Sequence, residues 1–394
     1  MSRAIAMMET SMGAGVWDEA IDRMLARVRD TAGRVGDGFP HWADPESGRW
    51  TVTVDGDWTG GFWVAMLWLA CRGTGEGLYR RWARQWAGRL RPRIASASVF
   101  KAVPFYYGGT LGHLLLDDAG ARELALAAAA SLMRLYNPAL GLIPLGAEAE
   151  EGAQVGPAES SIDSLFASPF LLWAAHQTGD SRMLEVARSH AGRVIELHLR
   201  EDGSFIQSSS LDPQSGAVLR HYTHKGYSNT STWGRAQSWG VLLSVMSYAR
   251  DPAQTRWLQT AERGADWWIA HVPSDHVAFW DFDDPRIPEV ERDTAATAAM
   301  ACAMLKLAAL ADPAKRHDYR HHAEATVKAL TGRYLTPVNS SDRRIPGILI
   351  EGCFNKRPDS RSHDAAVRNE LIFGSYYLFE ALHILAGKAD PKNI

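Results

Sequence analysis

Asp163 stands in the run Ser161-Ile162-Asp163-Ser164-Leu165-Phe166, where its close neighbours are apolar or neutral. A carboxyl group about a turn inside an apolar helix is costly unless it is paired or its pKa rises, and a raised pKa suits a general acid. Further along, Trp233, Arg235, Gln237 and Trp239 fall within STWGRAQSW. On a helix, positions 233 and 237 share one face and 235 and 239 another, which sets an indole beside an amide and a guanidinium beside an indole. That set suits a sugar acid, through ring stacking, hydroxyl bonding and carboxylate pairing. The alternative is a core helix whose single Arg is buried against an Asp. His221 and His224 flank the loop that leads into this segment, as site residues without a defined role. Asp293 with Thr294, and Ser160 or Ser161, read as helix N-caps. His317 and His321 have the i,i+4 spacing of a metal pair but lie in a charged stretch, RHDYRHHAE, that reads as a solvated helix face.

The elements that must position these residues are helices. Apolar stripes of helical period fall at about 16–33, 60–74, 76–92, 107–117, 118–136, 160–178, 180–199, 230–249, 252–272, 292–311, 313–333 and 366–386, with little strand-like alternation. Two types alternate. The segments near 60, 107, 160, 230, 292 and 366 are rich in Gly, Ala, Ser and aromatics and poor in charge, as helices packed on every side should be. The others carry Arg, Glu and His opposite an apolar stripe; in the first of them Trp17, Ile21, Met24, Leu25 and Val28 form that stripe. Short Gly, Asp and Pro breaks join each inner segment to the following outer one, and the long connections all run from outer to inner. The pattern predicts an all-α fold, an (α/α)6 barrel of six helical hairpins in one domain over residues 1–394, with 1–15 as a flexible tail. Long loops on one face place the site at the N-terminal ends of the inner helices, where free N–H groups and helix dipoles favour an anion.

A formal net charge of -3, with no run of Lys or Arg, argues against a nucleic-acid partner. No segment has the length of a signal peptide or membrane span, so a cytoplasmic location and no membrane contact are expected. Cys71, Cys302 and Cys353 are too scattered for a disulfide framework or a CxxC metal site, and read as buried thiols. Neither a cofactor nor a metal is expected. The 15 Trp in 394 residues can serve either as core or as sugar-stacking surfaces.

Four segments, DGDWTGGFWVAMLWLA, SSIDSLFASPFLLWAAHQTGD, HKGYSNTSTWGRAQSWG and NELIFGSYYLFEAL, together resemble the unsaturated glucuronyl hydrolases, glycoside hydrolase family 88. The resemblance runs in order from about residue 17 to 387. It implies an (α/α)6 barrel and hydration of the 4,5-unsaturated uronic acid that polysaccharide lyases leave at a non-reducing end. A carboxylic acid protonates C4, water adds at C5, and the hemiketal opens to release the neighbouring sugar. The acid role falls to Asp163, and substrate contacts to Trp58, Tyr107, Gln207, His224, Lys225, Trp233, Arg235, Gln237, Trp239 and Asn369. Ala236 replaces a family glycine, Gln207 a His, Lys225 a Gln, and Phe373-Gly374-Ser375-Tyr376 a W-G-D-Y motif. A second family Asp, in a D-x-G-F motif, is matched to Tyr106-Tyr107-Gly108-Gly109, so Tyr106 is expected to share in proton transfer. The substrate is expected to be an oligosaccharide with an anionic sugar, bound by a monomer or homodimer. The alternatives are a lyase, dehydratase or epimerase on the same barrel, suggested by the Tyr pair and by His221 and His224, or a sugar-binding relative without catalysis, suggested by the missing second carboxylate.

Overall fold

The computed structural model describes residues 14–149, 158–357 and 366–394. Most of the expected tail over 1–15 lies outside the described residues. Helices α1 (Asp18–Arg34), α3 (Gly77–Arg89), α5 (Ala119–Met133), α7 (Ser181–His198), α9 (Thr255–His271) and α11 (Pro313–Arg333) form an outer ring. The inner ring contains α2 (Gly60–Thr74), α8 (Gly234–Arg250), α10 (Thr294–Leu310) and α12 (Ile372–Leu385). Its other two members are composite. In α4, the stretch Ala102–Phe105 leads through a π turn at Tyr106–Thr110 into Leu111–Leu116. In α6, a 3₁₀ turn at Ile162–Phe166 leads into Ala167–Thr178. Each inner helix touches the next, and α12 touches α2, which closes the (α/α)6 barrel.

Residue type explains the two rings. Helix α10 is buried without a break from Thr294 to Leu307, and its run of alanines lets α8 and α12 approach on either side. Where α2 passes α4, a Cβ at Gly61 would stand 2.4 Å from the Pro104 Cα, so only glycine permits that crossing. The outer helices bury one stripe; in α1 it includes Ile21, Met24, Leu25 and Val28, as the periodicity predicts. Asp118, Asp180 and Asp312 cap the outer helices that follow inner ones, accepting from the N–H groups of Ala121, Met183 and Ala314. Helix α1 is tied to the strand that leads into α12 through Arg27, whose Nε and Nη2 donate to Glu370 Oε2 at 2.9 and 2.6 Å. Both side chains are buried.

Two features depart from the helical reading. Among the described residues the long connections contain two three-stranded sheets: β1 (Phe39–Ala43) lies between β2 (Trp50–Thr53) and β6 (Glu370–Leu371), and β4 (Ser208–Leu211) lies between β3 (Glu159–Ser161) and β5 (Val218–Tyr222). All six strands are short, and β3 and β4 consist largely of serine, so no apolar alternation marks them. Helix α4 also starts at Ala102, five residues before the expected 107, because Pro104 is tolerated in a first helical turn.

Candidate active site

The site is built on the strand-to-helix junction of α6. Strand β3 pairs Ser161 with Ser208 on β4, and the 3₁₀ turn begins at the next residue. Ser161 caps that turn, and its hydroxyl donates to Asp163 Oδ2 at 2.7 Å. Asp163 is half-buried, so its carboxyl group is not enclosed by Ile162, Leu165 and Phe166 as the apolar run suggested. The 3₁₀ turn packs against α8, and Phe166 meets the Trp239 ring edge-on at 5.3 Å between centroids.

An aromatic shelf forms around Phe354, a loop residue that nothing in the sequence pattern singled out. Trp58 and Phe373 lie 6.1 Å from its ring, and His41 meets it edge-on at 5.2 Å. Lys225 Nζ sits 4.5 Å over the same ring, and the Arg235 guanidinium lies 4.3 Å over Trp233. Trp58, Trp233, Trp239 and Lys225 are thereby brought together, with His41 as an unforeseen addition held by Thr59 Oγ1 at 2.8 Å from its Nδ1. Beside Trp58, Asp57 adopts a left-handed backbone at φ 43° and faces Arg93. Burial pushes its carboxyl pKa up, against the opposing pull of Arg93 and His41.

Several expected substrate contacts are already committed to the protein. Arg235 Nη1 donates to Asp293 Oδ2 at 2.8 Å, and its guanidinium also bonds the carbonyls of Cys353 and Phe354. This is the buried Arg–Asp pair that the sequence left open, and Asp293 also caps α10 through the N–H groups of Ala295 and Ala296. Gln237 is fully buried; its Oε1 accepts from Phe205 N at 2.8 Å and its Nε2 donates to the carbonyls of Gly203 and Gly264. Those bonds tie the connection before α8 to α9. Asn369 Nδ2 donates to the Ala43 carbonyl at 3.0 Å and so steadies β1.

Gln207 is buried as well, and its Oε1 accepts from the Thr223 hydroxyl and from the N–H groups of His224 and Lys225. Its Nε2 therefore donates to His224 Nε2 at 3.0 Å, leaving the His224 proton on Nδ1. Gln207 holds the His224-Lys225 turn in place, and half-buried His224 is the more accessible of the two.

The Tyr pair lies deeper than expected. Tyr106 is buried, and Arg250 Nη2, on the last residue of α8, approaches its hydroxyl at 3.5 Å. That hydroxyl is turned towards the barrel end opposite Trp233. Tyr107 shares a 2.5 Å hydrogen bond with Tyr377, and burial holds its pKa well above the usual phenol value. Residues Val99–Lys101, just before α4, are what meets the 3₁₀ turn of Asp163, and none of Val99, Phe100, Lys101 and Ala102 has a carboxyl group. Tyr106 itself lies further along, in the π turn of α4, with Arg250 beside its hydroxyl.

No protein-family model matches the chain. It is 33% identical over 380 residues to the unsaturated glucuronyl hydrolase of Bacillus sp. (strain GL1), covering 93% of this chain and 96% of that one. It belongs to the unsaturated glucuronyl hydrolase family. Members of this family are glycoside hydrolases. An unsaturated chondroitin disaccharide hydrolase of Streptococcus pneumoniae (strain ATCC BAA-255 / R6) is 26% identical, over 92% of this chain and 90% of its own. The crystal structure of the Bacillus sp. GL1 unsaturated glucuronyl hydrolase superposes with a TM-score of 0.85 at 31% identity, over 94% of this chain and 96% of that one. Among the described residues, no helix is long and apolar enough to cross a membrane.

Proposed function

We propose that this chain removes a 4,5-unsaturated uronic acid from the non-reducing end of lyase-generated oligosaccharides, with Asp163 as the general acid. The observation that supports this reading is the half-buried Asp163 carboxyl, held by Ser161 at the mouth of the barrel, with the Trp58, Phe354 and Trp233 shelf and the Lys225 ammonium at the same end. The flat unsaturated ring stacks on Trp58, the partly exposed member of the shelf, which buried Phe354 and Trp233 support from behind, and Lys225 offers charge to the uronate. Asp163 in its acid form delivers a proton to C4, the C4=C5 electrons form the new C–H bond, and positive charge develops at C5 and the ring oxygen. Water adds at C5 and returns a proton to the Asp163 carboxylate. The resulting hemiketal opens and releases the neighbouring sugar.

The lyase, dehydratase and epimerase readings lean on a Tyr, or on His221 or His224, acting as the acid or base; the two histidines are hydrogen-bonded to Ser209 and Gln207 respectively. Tyr106 and Tyr107 are buried and already bonded within the protein, which favours hydration. The test is to follow loss of the ultraviolet absorbance of the conjugated double bond in unsaturated disaccharides, together with the masses released. Replacing Asp163→Asn should lower kcat by about 10²- to 10⁴-fold, the usual range for a general acid. Undiminished turnover by that variant would remove Asp163 from the reaction.

A further inference from the structure

Helix α7 belongs to the outer ring, yet two of its polar side chains, His190 and His198, are fully buried. Both face inward onto the stretch Ser160 to Ser164, which brackets Asp163. A buried imidazole needs a partner at each nitrogen, and here those partners settle both tautomers. The Ile143 N–H donates to His190 Nδ1 at 3.1 Å, so the proton sits on Nε2, which donates to the Ser164 carbonyl at 2.8 Å. His198 is the reverse case: its Nδ1–H donates to the Ile206 carbonyl at 3.0 Å, and bare Nε2 accepts from the Ser160 hydroxyl at 3.0 Å.

We infer that His190, through the Ser164 carbonyl, and His198, through the Ser160 hydroxyl, are positioning residues that fix the two ends of the segment presenting Asp163. This rests on the reading of Asp163 as the acid. A single 3₁₀ turn has poor hydrogen-bond geometry of its own and needs outside support to hold one conformation. Ser161 steadies the carboxyl group from within the turn, while the two histidines hold the backbone from behind. Neither is a proton donor to substrate. Burial lowers their pKa values to about 4 and about 3, so both are neutral at the pH where a hydrolase works. The inference gives these buried histidines a role in placing the acid, where displacement of about 1 Å can cost about 10²-fold in rate.

The two nitrogens of His190 can be tested separately, because a Gln amide reaches the place of Nε2 and an Asn amide that of Nδ1. Each variant keeps one buried hydrogen bond and loses the other. His190→Gln keeps the donor to Ser164 and should hold kcat within about threefold of the parent, whereas His190→Asn should lower kcat by about tenfold or more with KM unchanged. A merely structural histidine would make the two variants alike in kcat, and that result overturns the inference. Should either fail to fold, Ser160→Ala, which removes only the hydroxyl donor to His198, should lower kcat at constant KM; parental kcat in that variant would likewise overturn it. Alike Asn and Gln variants beside an inactive Asp163→Asn would remove the brace alone. Full turnover by Asp163→Asn would remove the acid assignment instead.

Discussion

Arg235 and Asp293 form a buried ion pair at 2.8 Å that joins two neighbouring inner helices, α8 and α10, at the mouth of the barrel. Asp293 Oδ1 is occupied with capping α10 while Oδ2 receives the guanidinium. Arg235 in turn spans the carbonyls of Cys353 and Phe354, so the pair also holds the loop bearing the aromatic shelf. Removing one member of a buried pair typically costs about 3–5 kcal/mol, because the survivor keeps its desolvation penalty. Arg235→Met should therefore lower the unfolding free energy by about that amount in urea titration. It should also loosen Phe354, seen as a raised KM in whatever fraction folds.

Gln237 should act on stability alone. Gln237→Leu leaves the Phe205 N–H and the Gly203 carbonyl without their side-chain partner in the core, each costing about 1–3 kcal/mol, while the Gly264 carbonyl keeps its partner within α9. The expected result is a lower urea midpoint with KM for an unsaturated disaccharide unchanged. A selective rise in KM would return Gln237 to the substrate.

Lys225 should set affinity for the anionic sugar. Its ammonium sits over Phe354, and a charge-assisted hydrogen bond is worth about 1.5–3 kcal/mol, or roughly ten- to hundredfold in binding. Lys225→Met should raise KM by about that factor and change kcat far less. Equal KM values for parent and variant would take Lys225 off the uronate.

Acid should unfold this protein early. Burial lowers the pKa of His190 to about 4, of His198 to about 3 and of His383 to about 4, from 6.5. Each is neutral when folded and takes up a proton on unfolding below 6.5, so their contribution is fully present above that pH and is lost as pH falls towards 4. Each adds a slope of about 1.4 kcal/mol per pH unit within that window. Urea unfolding between pH 7 and 4.5 should show the fall, and His383→Leu should reduce the slope by one proton. An unchanged slope in the variant would show that His383 is not buried neutral.

The ring closure should be sensitive too. Arg27 and Glu370 join the first helix to the strand before the last, and Ser375 of that last helix donates to the second Glu370 oxygen at 2.9 Å. Glu370→Ala leaves the buried Arg27 with Asp30 as its remaining carboxylate and the Gly48 carbonyl as an acceptor, so the loss in urea titration should stay below the roughly 3–5 kcal/mol of an unpaired buried charge, with α1 exchanging its amide hydrogens faster than α10.

The barrel was legible because its cause is local and periodic. A stripe such as Ile21, Met24, Leu25 and Val28, an unbroken apolar run such as α10, and an Asp before an outer helix each reflect forces acting within one or two turns. Asp163 and the tryptophans could be named on residue type for the same reason, and the resemblance to known hydrolases supplied a chemistry. What the sequence could not determine is which partner each polar group meets. Arg235 could face a uronate or an aspartate, and packing of α8 on α10 decided for Asp293. Gln237 could reach a sugar hydroxyl, yet the connection before α8 supplied backbone partners first. Tyr106 has the right type to move a proton, but an early start to α4 turns its hydroxyl towards Arg250. Phe354 and His190 had no periodicity to mark them, because one sits in a loop and the other on an amphipathic helix whose polar residues ordinarily face water. Backbone proximity between distant segments assigns such partners, and only the closed ring brings those segments together.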